Sequence, residues 1–275
     1  MRVPTSLRRA SLLLALVGCD RVFGLEPIDV RGDVPSSDTA DGGDAGPCFL
    51  PRQLVLGVTG FDPMLTHDKR TLLYARNAGT YDLFQATRAD LVPTTAFKNE
   101  TAFAELNTQA DETDPSLTED GLLIMFTSNR SGAWRAYQAQ RTTMTGTFTA
   151  PVLVPGLTTT TISGLDISPD GLTLYFDDTV SFAIAQRGSR DDAFADLIRP
   201  SLDHAEYPSV TANGLELYYN AAGIVRRTRA GKTDPFDGGT ARVVDEGGSD
   251  ADITPDGNTL VFRGGTSLYT RERCL

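Results

Sequence analysis

The chain has 275 residues, 40% of them from the set AVILMFWYC, with 25 Lys and Arg against 36 Asp and Glu and a formal charge of −11. That length accommodates two average domains or one large all-β domain. The acidic balance excludes a nucleic-acid binder built on phosphate neutralisation, and two His residues, His67 and His204, are too few for a His-rich zinc site.

Arg2, Arg8 and Arg9 precede the apolar run Leu12-Leu13-Leu14-Ala15-Leu16-Val17, the charged and apolar regions of a secretory signal. The run is shorter than the roughly 20 residues that span a bilayer. Leu16-Val17-Gly18-Cys19 resembles the lipobox of bacterial lipoproteins. The resemblance implies a signal peptide over residues 1–18, acylation of Cys19 and a membrane anchor without a spanning helix, with about 0.8 kcal/mol for each buried methylene. An ordinary cleaved signal that leaves Cys19 a bystander weighs less, because no small-x-small cleavage site fits better nearby. Asp20 resembles the inner-membrane retention signal of some enteric bacteria, and the expected location is the bacterial cell envelope at either the inner or the outer membrane.

Residues 19–47 hold the lipidated Cys and an acidic tether. From Val30 to Pro47 the sequence VRGDVPSSDTADGGDAGP has almost nothing apolar to bury, so it cannot offset its ordering entropy. Asp38, Asp41 and Asp44 have a spacing loosely like a calcium loop, but the terminal Glu and flanking helices are missing and a solvated linker is the reading.

From residue 48 onward a block recurs five times: Leu65-Thr66-His67-Asp68-Lys69, Leu117-Thr118-Glu119-Asp120-Gly121, Ile167-Ser168-Pro169-Asp170-Gly171, Val210-Thr211-Ala212-Asn213-Gly214 and Ile253-Thr254-Pro255-Asp256-Gly257. The spacings are 52, 50, 43 and 43 residues, the period of a four-stranded propeller blade. Asp-Gly and Asn-Gly predict tight hairpin turns with positive φ at both residues. After each turn Leu72 and Tyr74, Ile124 and Phe126, Leu174 and Phe176, Leu217 and Tyr219, Leu260 and Phe262 alternate as in a strand, and the residues between them are apolar too. Such strands are covered on both faces, as between neighbouring blades. A third strand then ends on Arg88, Arg141, Arg187, Arg229 or Arg273, and Phe148, Phe194 and Phe236 each follow their Arg by seven residues.

The fifth copy lacks the Phe and fourth strand that follow its Arg elsewhere. Cys48-Phe49-Leu50-Pro51 and Gln53-Leu54-Val55-Leu56 resemble Phe148-Thr149-Ala150-Pro151 and Val152-Leu153-Val154, so the N-terminal strand is predicted to complete the last blade. The expected fold is all-β, a propeller of five four-stranded blades over residues 48–275, closed by pairing of its two ends. Closure brings Cys48 and Cys274 together, and a disulfide is expected between them in an exported protein. The blocks Ile167–Gly171 and Ile253–Gly257, followed by Leu-Tyr-Phe and Leu-Val-Phe, resemble the Pro-Asp type of WD40-like repeat found in the propeller of the Tol envelope system. This implies fold and says little of activity, since propellers host many functions.

Carboxylates recur before the turns. Asp62, Asp114 and Asp250 lie six residues ahead of the turn Asp, and Asp166 and Asp252 lie four ahead. On an innermost strand these five would ring one mouth of a central channel, where crowded carboxylates raise one another's pKa or recruit a cation such as calcium. A glycosidase would use a pair as acid and base. Against this, each Asp has the competing role of a turn or inter-blade hydrogen bond, and repetition favours that role over catalysis. His67 and His204 sit at non-equivalent offsets and are expected to be solvated or hydrogen-bonded. Trp134 and Tyr137 beside Asn129-Arg130-Ser131-Gly132 mark a candidate exposed loop that could grip a sugar or a peptide, but packing between blades is the favoured role. No Gly-x-Ser-x-Gly elbow or phosphate loop is present. The favoured function is a monomeric, lipid-anchored, non-enzymatic binding or scaffold module for an envelope protein or other ligand, without a cofactor. The alternative is a carbohydrate-active hydrolase or glycan-binding propeller using the acidic mouth.

Overall fold

The computed structural model describes residues 48–178, 180–202, 205–236 and 240–274. The predicted signal over residues 1–18, Cys19, the predicted tether and His204 lie outside the described residues. Twenty strands form five four-stranded antiparallel sheets. Blade I holds β2 (Phe61–Leu65), β3 (Thr71–Asn77), β4 (Tyr81–Thr87) and β5 (Lys98–Ala102). Blade II holds β6 (Glu112–Leu117), β7 (Leu123–Ser128), β8 (Arg135–Gln140) and β9 (Val152–Leu153). Blade III holds β10 (Ile162–Ile167), β11 (Thr173–Asp178), β12 (Phe182–Gln186) and β13 (Ala195–Ile198). Blade IV holds β14 (Glu206–Val210), β15 (Glu216–Ala221), β16 (Gly223–Thr228) and β17 (Arg242–Asp245). Blade V joins β18 (Ser249–Ile253), β19 (Thr259–Gly264) and β20 (Ser267–Glu272) to the N-terminal β1 (Gln53–Leu54), a five-bladed β-propeller.

The predicted closure is present. Gln53 and Leu54 pair with Thr270 and Tyr269, Phe49 bridges Arg273, and Cys48 is disulfide-bonded to Cys274 with their Cα atoms 5.2 Å apart.

The unbroken apolar runs of the second strands are explained by the packing. In β3, Leu72 and Tyr74 face the core between blades V and I, while Leu73 and Ala75 face the core between blades I and II. The same division holds for Ile124 and Phe126 against Met125, Leu174 and Phe176 against Tyr175, Leu217 and Tyr219 against Tyr218, and Leu260 and Phe262 against Val261. Each blade therefore buries both faces, the condition that makes a strand apolar at every position rather than at alternate ones.

The repeated block departs from the predicted turn in one respect. Only the last residue of each block is left-handed: Lys69 at φ 58°, Gly121 at 69°, Gly171 at 78°, Gly214 at 71° and Gly257 at 72°. The Asp is not left-handed; its carboxylate caps the turn. In blade II, Thr118 Oγ1 donates to Asp120 Oδ1 at 2.7 Å, Leu122 N–H donates to the same oxygen at 3.0 Å, and Gly121 N–H closes the turn on Thr118 O at 2.8 Å. Lys69 adopts the same conformation despite its Cβ, and its ammonium reaches Glu272 at 3.1 Å.

The Arg and Phe of the repeat form one device. Arg88, Arg141, Arg187 and Arg229 each donate from Nε to the carbonyl of the left-handed turn residue, at 2.7, 2.6, 2.9 and 2.6 Å. The same guanidiniums lie over Phe97, Phe148, Phe194 and Phe236, 5.0, 4.4, 4.5 and 4.3 Å from the ring centroids. In blade V the ring comes from the N-terminal segment: Arg273 lies 5.8 Å from Phe49. Its fork turns instead to Glu216, with Nη2 to Oε2 at 2.6 Å, and its buried Nε has no hydrogen-bond partner. Burial pushes the Glu216 carboxyl up, but hydrogen bonds from Arg226, Arg273 and Tyr218 outweigh it and hold the pKa at about 2.

Candidate binding site at the channel mouth

The strands β2, β6, β10, β14 and β18 are innermost, each packed against the same strand of the next blade. All five share an irregularity. Their register with the second strand slips between Phe61 and Met64, Thr113 and Ser116, Ile162 and Gly164, Glu206 and Ser209, and Ser249 and Asp252. Such bulges re-aim a side chain and interrupt pairing. The residue six before the turn Asp or Asn sits in this slip at Asp62, Asp114, Tyr207 and Asp250, and at Gly164 it bounds the slip. The four that carry side chains are left-handed, with φ of 48°, 52°, 50° and 52°. Asp tolerates that region, whereas for Tyr it is a strained choice costing about 1–3 kcal/mol.

The five predicted carboxylates line one cavity of about 40 Å³ in the channel, but they divide into two layers. Asp166 and Asp252, with Ser116 and Ser209, form the inner layer, and there they are structural. Ile167 N–H donates to Ser116 Oγ at 3.0 Å, Val210 N–H to Asp166 Oδ2 at 2.8 Å, Ile253 N–H to Ser209 Oγ at 3.0 Å and Leu65 N–H to Asp252 Oδ2 at 3.2 Å. Each side chain thus satisfies an inner-edge amide of the next blade. Ser116 Oγ also donates to Asp166 at 2.9 Å, and Ser209 Oγ to Asp252 at 3.0 Å. These two Asp line the same cavity as the other three and form an inter-blade belt, the hydrogen-bonding role that competes with a ligand site in the sequence reading. Met64, at the equivalent position of blade I, has no acceptor of this kind and leaves the belt open there.

Asp62, Asp114 and Asp250 form the outer layer. Asp114 accepts from Thr127 Oγ1 at 2.6 Å and Thr113 Oγ1 at 3.0 Å. Asp250 is buried and receives Arg263 Nε at 2.5 Å. The Asp114 backbone N–H and the Arg263 charge favour the ionised form of Asp62. Burial, reinforced by Asp114 and Asp250, holds the Asp62 carboxyl well above the usual range. Burial likewise pushes Asp114 to about 7, against the pull of the two Thr hydroxyls. In the belt, burial raises Asp166 to about 6 and, with Asp166 beside it, raises Asp252 well above its ordinary value.

Above the outer layer a second cavity of about 350 Å³ opens, lined by Phe61, Tyr81, Trp134, Tyr207, Asp62, Asp250 and Arg263 with Thr113 and Ser163. Four aromatic rings and two carboxylates converge on a volume of small-ligand size. Phe61 and Tyr81 meet edge to face with centroids 5.2 Å apart. Burial and the three nearby carboxylates raise the Tyr207 phenol, so it remains a neutral donor. Among the described residues no three His, Cys, Asp or Glu side chains are placed to hold a metal ion.

Trp134 and Tyr137 are the aromatics of the candidate loop, with packing between blades their favoured role. Trp134 does line this cup, but Tyr137 is a buried residue of β8 that stacks on Phe126 at 6.0 Å. His67 is exposed beside Glu119, 3.5 Å away on the neighbouring blade's turn and remote from the cup. Sequence reasoning missed Tyr207, although it occupies the same repeat position as Asp62, Asp114 and Asp250, and a position-by-position superposition of the copies finds it. Phe61, Tyr81 and Arg263 carry no comparable signal.

No family model and no curated protein matches the chain. Among solved structures, it is similar to a gluconolactonase of Xanthomonas campestris, with 15% identity, TM-score 0.47, 77% of this chain and 71% of that one covered. TolB from Acinetobacter baumannii gives 16% identity and TM-score 0.45 over 77% of this chain and 53% of that one. The periplasmic gluconolactonase of Pseudomonas aeruginosa gives 16% identity and TM-score 0.44 over 74% and 64%. At these values no activity carries over from one chain to another.

Proposed function

We propose that the protein is a monomeric, lipid-anchored propeller of the bacterial cell envelope, a non-enzymatic binding or scaffold module whose ligand enters the cup at the channel mouth. One observation carries this reading: three left-handed residues, Asp62, Tyr207 and Asp250, line a single open cavity, and Asp114, the fourth, shares the smaller cavity beneath it with them. Strain and desolvation concentrated at one place are characteristic of sites selected for binding rather than stability. The disulfide supports an exported protein, since such bonds persist in oxidising compartments. The lipobox-like Leu16–Cys19 supports the anchor, and intact mass of the membrane-extracted protein should show acyl chains on Cys19.

Affinity recovery from solubilised envelopes tests the binding role. A specific partner or glycan retained by wild type and lost with Asp114→Ala/Asp250→Ala is expected; identical recovery by both overturns a ligand site at the mouth. A hydrolase is the second reading, resting on Asp114, which stays protonated to about pH 7 as a general acid would. Sustained reducing-sugar release that vanishes in Asp114→Asn would replace the binding reading with this one. The binding reading needs no cofactor, and one calcium per chain in purified protein would recast the mouth as cation-dependent.

A further inference from the structure

We propose that the cup binds an organic cation, a quaternary ammonium or a lysine-like alkylammonium, with its charge held between the aromatic walls and the mouth carboxylates. This rests on the binding reading above and narrows it to a ligand class. The protein already demonstrates the chemistry with one of its own side chains. Arg263 donates to Asp250 while its guanidinium carbon lies 5.7 Å from the Phe61 centroid, so one organic cation is seated between a carboxylate and a ring at the edge of the cup. Among the described residues neither Asp62 nor Asp114 has a salt-bridge partner. The rest of the lining repeats the pattern on a larger scale: Tyr81, Trp134 and Tyr207 surround the space above Asp62.

Other ligand classes fit less well. An anion would face Asp62 and Asp250. A bare metal ion seeks several oxygens at close range, and no three acidic or His side chains converge that way among the described residues. A neutral sugar would stack on the rings and do nothing to offset the cost of ionising the crowded Asp62, whereas a cation does. Ring faces attract ammonium groups by about 0.5–2 kcal/mol each, more as water is excluded, and a carboxylate beneath them adds to that attraction.

Trp134 is the one Trp of the chain, so intrinsic fluorescence reports directly on the cup. Choline chloride and n-butylammonium chloride are titrated at constant ionic strength against 3,3-dimethylbutan-1-ol, the uncharged shape analogue of choline. A saturable change with both cations, weaker by about tenfold or more with the alcohol, is expected, a ratio equal to about 1.4 kcal/mol. Asp62→Asn should weaken the cation response by a similar factor, whereas Asp120→Asn, in a turn away from the cup, should leave it unchanged. Circular dichroism melting checks each variant; if Asp62→Asn is unfolded, Trp134→Phe read by calorimetry takes its place and should lose the binding heat. No saturable response to either cation, or an equal response to the alcohol, overturns the inference. A partner recovered from envelopes alongside such a negative titration would overturn the ligand class alone and leave the binding module standing.

Discussion

Asp114 shows how a single residue can set the chemistry and the stability of the mouth against each other. Its carboxyl titrates at about 7 when folded and near 3.8 when unfolded, because burial penalises the charge more than two Thr hydroxyls relieve it. Between those values the folded state holds a proton that the unfolded chain has released, so stability falls as pH rises from about 4 to about 7 and then levels off. Each pKa unit is worth about 1.4 kcal/mol, which sets a ceiling on the order of 4 kcal/mol for the loss. Asp114→Asn keeps an oxygen for both hydroxyls, which converge on the same Oδ2, and removes the charge. In urea titrations the variant should be more stable than wild type at pH 8, by about 1–3 kcal/mol, and close to it at pH 4.5. Equal destabilisation at both values would mean that the carboxylate is structurally required. The sequence marks Asp114 as a recurring acid, but not that its backbone is left-handed. A register slip filled by Asp or Tyr rather than Gly leaves no compositional trace, so Tyr207 is found only by superposing the repeat copies and not by looking for recurring acids.

At the scale of an element, one device ties the parts of each blade together and another links neighbouring blades, and they differ in how far the sequence discloses them. The Arg and the Phe seven residues on are visible as a period in blades II, III and IV, yet the period does not reveal what they do: the guanidinium caps the turn carbonyl and covers the ring. Arg141→Lys keeps the charge and loses the planar fork, so a loss of about 1–2 kcal/mol is expected in denaturant unfolding. A loss no larger than that of an exposed substitution would show the turn to be held by Asp120 and Thr118 alone. The belt of inner-edge amides is harder to read, because Ser116, Asp166, Ser209 and Asp252 alternate in type while serving one purpose. Ser209→Ala removes the acceptor of Ile253 N–H and the donor to Asp252 together, leaving two polar groups unmatched in the channel. The expected cost is about 2–4 kcal/mol, larger than for Ser163→Ala on the exposed rim. A double-mutant cycle of Ser209→Ala with Asp252→Asn should show coupling, and strict additivity would count against the belt.

At the scale of the whole molecule the question is what keeps the ring shut. The fold itself was legible: five copies at 43 to 52 residues specified five blades, and the unfinished fifth copy specified which segment completes it. The closing strand is short, with Gln53 and Leu54 paired to β20 and Phe49 bridging Arg273, and main-chain bonds from Leu50 N to Glu272 O, Val55 N to Leu268 O and Cys274 N to Cys48 O extend the pairing to either side. Arg271 adds a contact by donating Nε to Leu50 O at 2.9 Å. The disulfide from Cys48 to Cys274 spans 226 residues, and in the chain-entropy account a loop of that length stabilises by up to about 5 kcal/mol. Loss of that link should act on the whole propeller rather than on blade V alone, because the core between blades V and I depends on Val55 and Val58 of the same N-terminal segment. The double variant Cys48→Ser/Cys274→Ser should therefore unfold at lower urea in one transition, with Trp134 fluorescence in blade II and far-ultraviolet circular dichroism moving together. Oxidised and reduced wild type should bracket the same difference. An unchanged midpoint would assign closure to strand pairing and the Phe49 contacts alone, and an early step seen by circular dichroism but not by Trp134 would mean that blade V opens as an independent unit.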